Sequence, residues 1–146
     1  MKTIKLIALA VATICIFSAF KSSTTNSTND DYYAFIVVDG VYNNETAYAS
    51  RIIYYPGYES CNSLESKYFF AEARRAFSDH LKAYYNHHFP NGENNNFAVI
   101  DMKKHSTSQM LMTRAEAEQR MTEWIAEQKG KGYAVKATTF SYSCEE

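Results

Sequence analysis

The sequence predicts an α+β fold, a mixed four-stranded sheet with two helices in the order β-β-α-β-α-β. Three observations carry this expectation. Two stretches place apolar residues at steps of three and four, the spacing of one helix face. Four others are rich in β-branched and aromatic residues and bounded by Gly, Pro or Asn. A chain of 146 residues, 46% of them hydrophobic, suits one domain with a substantial core. No internal repeat is present.

Residues 1–20 have the parts of a secretory signal. Lys2 and Lys5 form a basic start, Leu6 to Phe17 is almost wholly apolar, and Ser18 and Ala19 suit a cut within 19–23. An uncleaved anchor needs about 20 apolar residues, and Leu6 to Phe20 falls short of that. A lipid anchor on Cys15 would want a small residue before it, and Ile14 stands there. Residues 21–31 are rich in Ser, Thr and Asn and have almost no apolar side chains. Such a stretch cannot bury enough surface to offset chain entropy, and reads as a tether. The domain is expected over 32–146, in a secreted or periplasmic setting. Asn26-Ser27-Thr28 and Asn44-Glu45-Thr46 match the glycosylation pattern, which matters only in a eukaryotic source.

The first strand is "YAFIVVDGVY", 33–42. A turn at 41–46 contains Asn43-Asn44, which tolerate left-handed backbone. The second strand, "AYASRIIYYPGY", spans 47–58 and stops at Pro56-Gly57, giving an antiparallel hairpin. The first helix is expected from Asn62 or Ser63, with Asn62 and Glu65 at capping-box spacing. Its stripe is Phe70, Ala73, Phe77, Leu81, Tyr84 and His88, and Pro90 and Gly92 stop it. "FAVIDM", 97–102, is nearly continuous and apolar, which suits a strand buried on both faces. A polar loop, "KKHSTSQ", follows. Thr113 and Glu116 fit a capping box for the second helix. That helix buries Ala117, Met121, Trp124, Ile125 and Gln128, and ends at Lys129-Gly130. The last strand is "YAVKATTFSYSC", 133–144. Parallel crossovers through either helix would be right-handed.

Charge narrows the partners. Without Lys2 and Lys5 the chain carries 13 basic against 16 acidic side chains, a net of −3. No basic stripe marks a nucleic-acid binder, and no polybasic cluster marks an anionic membrane surface. Once Cys15 leaves with the signal, Cys61 and Cys144 remain. An even count in an exported chain predicts that they pair. No C-x-x-C motif supports redox or thiolate-metal chemistry.

His87-His88 is the most conspicuous candidate metal site, and its spacing argues against one. Two ligands on a helix share a metal at i and i+3 or i+4, whereas adjacent residues point about 100° apart. His80 and His87 share a face but lie two turns apart. His88 reads as the rim of the apolar stripe. No metal or cofactor is expected. No hydrolase, zinc-protease or phosphate-loop motif occurs, and the "NGENNN" and "DGVYNNE" turns miss the calcium-loop spacing. An acid–base pair of Asp101 and His105 is the enzyme alternative.

Tyrosine carries the functional expectation. The chain holds 12, with Tyr54, Tyr55 and Tyr58 clustered beside Pro56. In the first two strands both alternating faces are apolar. Helices on one side only would leave an aromatic sheet face open, and such patches mark partner or ligand sites. Tyr54, Tyr55, Tyr58 and Ile52 are then the contact residues of a small exported module for a protein or glycan. A structural homodimer would bury the same face. If the helices instead cover opposite faces, these tyrosines divide between core and rim.

Overall fold

A computed structural model of the protein describes residues 31–42, 45–87, 96–104 and 111–144. The expected signal 1–20, the tether up to residue 30, both glycosylation triplets' asparagines, His88, Pro90, Gly92 and His105 lie outside the described residues. Among the described residues the fold is α+β with a mixed sheet and two helices, as the sequence predicts, but the sheet has five strands. They are β1 (Tyr32–Val38), β2 (Thr46–Ala49), β3 (Ile53–Tyr55), β4 (Phe97–Ile100) and β5 (Ala134–Ala137). The helices are α1 (Ser66–Tyr85) and α2 (Arg114–Gly130).

β1 is the centre of the sheet. β2 and β3 run antiparallel along one edge, and β4 runs antiparallel along the other. β5 lies outermost, parallel to β2. The expected single second strand is thus two. Val37 pairs with Ala49 and Ala34 with Ile53, so four steps on one strand oppose three on β1. One extra residue is a bulge, and Ser50 builds it. The Ile36 N–H donates to Ser50 Oγ (2.9 Å), while the Ser50 N–H donates to the Ile36 carbonyl (2.9 Å). The Ser50 hydroxyl in turn donates to the Arg51 carbonyl (2.7 Å), leaving this buried crossing satisfied.

Side chains of β1 alternate between two cores. Tyr32, Ala34, Ile36 and Val38 join α1's Phe69, Phe70, Ala73, Phe77 and Leu81. Tyr33, Phe35 and Val37 face the other way, onto α2's Ala117 and Trp124. The helices therefore cover opposite sheet faces in three layers. Among the described residues neither sheet face is left wholly open, so the arrangement is the second of the two expected, with the helices on opposite faces. The physical reason lies in β1 itself: apolar residues at every position need cover on both sides.

Several boundaries move. The first strand stops at Val38, because Asp39 Oδ1 accepts the Val41 N–H (3.1 Å) and a 3-10 turn follows over Gly40–Tyr42. A Cβ on Gly40 would run into the Tyr133 ring, so this corner needs glycine. Asn62 does not cap α1. It and Ser63 take left-handed backbone (φ 51° and 59°) after a 3-10 turn at Glu59–Cys61, and α1 starts four residues later, behind Glu65. Phe69 is buried and Tyr84 is 75% exposed, so the real stripe is broader at its start and leaves Tyr84 out. Asn86, left-handed, ends α1 before Pro90 is reached. β4 is not enclosed on both faces, since Ala98 is exposed. β5 is only four residues long, and the chain beyond it holds no regular strand among the described residues.

α2 matches its start signal. Thr113 Oγ1 accepts the Glu116 N–H (3.4 Å) and Glu116 Oε2 accepts the Thr113 N–H (2.9 Å). At its far end buried Gln128 takes the Gly40 N–H (3.4 Å) and donates to Asp39 Oδ2 (2.9 Å), where Lys131 also donates (3.0 Å). Burial raises the Asp39 carboxyl, but bonds from Val41, Gln128 and Lys131 outweigh it and hold the group below the usual range. No helix among the described residues is long and apolar enough to cross a membrane.

Candidate functional site: a tyrosine rim

The bulge at Ser50 decides which tyrosine is inside. Across it the alternation changes phase, so Ile53 and Tyr55 turn to the α1 layer. Tyr55 is 2% exposed. Its hydroxyl donates to the Leu64 carbonyl (2.7 Å), and its ring lies 5.5 Å from Tyr32 and 5.3 Å from Phe69. Tyr55 is thus a core residue with a satisfied polar end, not a surface contact. Ile52 is half-buried against the α2 layer.

Tyr54 and Tyr58 are different. Tyr54 is 42% and Tyr58 48% exposed. Tyr54 pairs with Tyr33 across β1 and β3, their ring centres 4.9 Å apart. α2 packs on β1 and β5, and Tyr54 on β3 is left partly uncovered. The Tyr54 hydroxyl donates to Asp31 Oδ2 (3.2 Å). Desolvation raises the Tyr54 phenol above its ordinary range, and the Asp31 carboxylate adds to this. Tyr58 opens the 3-10 turn, its carbonyl accepting the Ser63 N–H (3.0 Å). Two supporting residues escaped sequence reasoning. Tyr33 follows from the strand register once the hairpin is paired, whereas Asp31 sat at the end of a polar stretch with nothing to distinguish it.

The remaining candidates do not converge. Asp101 is half-buried, and desolvation pushes its carboxyl up, opposed only partly by its own N–H. Desolvation also raises the Tyr32 phenol, and the Asp101 charge adds to this. The expected partner of Asp101, His105, is outside the described residues. His87 is half-buried with its ring 5.6 Å from Tyr48. No group of three or more His, Cys, Asp or Glu side chains able to hold a metal occurs among the described residues. On α2's outer side, a shallow hollow of about 200 Å³ is lined by charged groups that bond one another. Lys103 meets Glu116 (2.6 Å), Arg120 meets Glu127 (3.3 Å), and Lys104 bonds Glu127 as well. These contacts fasten the segment after β4 to α2.

Cys61 and Cys144 stand at disulfide distance, their Cα atoms 5.4 Å apart across 83 residues of sequence. They join the turn before α1 to the C-terminal segment. Compared with protein-family models, with curated proteins and with solved structures, the chain matches none, so its site is read from its own residues.

Proposed function

We propose that the protein is a small extracytoplasmic binding module whose contact residues are the rim tyrosines Tyr54 and Tyr58, together with half-buried Ile52. The observation that carries this reading is Tyr54, exposed yet held on two sides by the Tyr33 ring and by Asp31. A surface ring so restrained has little freedom left to lose on binding, which favours affinity. Tyrosine adds a hydroxyl to a large apolar area, suiting a protein or glycan surface that offers both. The cysteine pair fits an oxidising compartment, and the signal-like start fits export.

The test is a screen of the oxidised protein on peptide and glycan arrays, wild type beside Tyr54→Ala/Tyr58→Ala. The double variant is expected to keep its circular dichroism spectrum, its changes lying on the surface, and to lose the specific binding. Retention of every wild-type binding signal by the folded double variant overturns the rim as the contact surface. Sedimentation of both proteins identifies self-association, which the same substitutions would abolish if a second copy is the partner.

A further inference from the structure

On the α1 side a cavity of about 330 Å³ opens beside the cysteine pair. That is the lower end of the range of about 300–1,000 Å³ typical of ligand pockets. Cys61, Cys144, Asn62 and Leu64 are among its lining residues. Phe69, buried, is the floor. Half-buried Tyr142 is a wall, its ring edge-on to Phe69 with centres 5.2 Å apart. The Tyr142 hydroxyl donates to Glu72 Oε2 (3.2 Å). Glu72, exposed on α1, is the one charged side chain among the described lining residues.

We infer that this cavity receives a cationic side chain, an arginine or lysine presented by a basic peptide segment of a partner protein. Charge and shape both point there. The described lining supplies an acidic group and aromatic carbon, and no basic group. A guanidinium beside Glu72 forms charge-assisted hydrogen bonds to the carboxylate, and its plane lies favourably against an aromatic ring such as Tyr142. The Tyr142–Glu72 bond sets the carboxylate before the ligand arrives. The cysteine pair anchors the segment that carries Tyr142, so the wall stays beside α1. This site stands apart from the tyrosine rim and does not depend on it.

The experiment is an amide-resolved NMR titration of the oxidised protein with N-acetyl-arginine amide, against N-acetyl-citrulline amide as the neutral isostere. The arginine probe is expected to shift Leu64, Glu72 and Tyr142 amides. Citrulline, or the arginine probe on Glu72→Gln, is expected to bind at least about tenfold more weakly. Tyr142→Leu tests the wall separately, and weaker binding with an unchanged spectrum elsewhere supports it. The proposal is overturned if millimolar arginine probe leaves these amides unmoved, if citrulline binds equally, or if Glu72→Gln changes nothing. N-acetylglucosamine shifting the same amides more strongly also overturns it, in favour of a sugar site. Tyr54→Ala/Tyr58→Ala is expected to leave the titration unchanged, so loss of the rim reading and loss of this one are distinguishable.

Discussion

The two sides of the sheet are built from different materials. The α1 side is aromatic: Tyr32, Tyr48, Tyr55, Phe69, Phe70, Phe77, Phe97 and Phe140 pack together, and the cysteine pair closes its edge. The α2 side is small and polar-anchored. Ala47, Ala49 and Ala117 bring the helix close to the strands, with Phe35, Met112 and Trp124 filling what is left. Its helix is then fixed at both ends, by the Thr113 capping box and by Gln128 on Gly40 and Asp39. Large rings supply apolar burial. Small residues permit close approach and leave positioning to directional bonds. One sheet is thus held by burial on one face and by geometry on the other.

The largest test of that contrast is Phe77→Ala, in the middle of the ring cluster. Its ring lies 5.0 Å from Phe140 and 5.7 Å from Phe97, and none of it is exposed. Removing it is expected to cost about 3–5 kcal/mol, read from urea unfolding. A loss below about 1 kcal/mol, the scale of a surface change, would mean the α1 layer is not held by ring burial.

Next comes reduction of the cysteine pair. A closed loop of this length is worth on the order of 4 kcal/mol by the chain-entropy argument, and often less in practice. Reductant is expected to lower the urea midpoint. Hydrogen exchange should then quicken around Cys61 and residues 138–144 before it quickens in α2. Equal quickening in both helices would erase the distinction between the layers.

The smallest effect belongs to Thr113→Ala, expected to cost about 1 kcal/mol. Its sign with pH follows from Glu116. The Lys103 ammonium and the Thr113 N–H hold that carboxyl below its ordinary value. Such a group contributes stability above the unfolded-state pKa and loses it as pH falls through the lower, folded value. Wild type should therefore lose more stability than a Glu116→Gln variant between neutral pH and acid. Parallel stability–pH curves for the two would remove Glu116 from the account.

What could be read without the structure divides along physical lines. The capping box was legible because Thr113 and Glu116 meet within one turn. The cysteine pairing was legible because only two candidates remained once Cys15 was set aside with the expected signal. The class of fold followed from periodicity. Asn62 misled because its spacing to Glu65 suits a cap, while the local backbone at Asn62-Ser63 went left-handed instead. Helix placement on opposite faces was one of two readings that β1's unbroken apolar run allowed. Asp31 and the Glu72–Tyr142 contact were invisible, because each joins a residue to a distant part of the chain through packing that no spacing encodes.

The bulge at Ser50 also fixes the length of the chain at this crossing. Strand faces are counted in twos, and the bulge adds one to the count. Remove a single residue there and the register beyond it inverts. Tyr55 and Ile53 would swing toward the α2 layer, and Tyr54 would be driven inward. The chain is therefore sensitive at this point to its length as much as to its chemistry. A one-residue deletion would exchange the inside and the outside of β3 while altering none of its side chains.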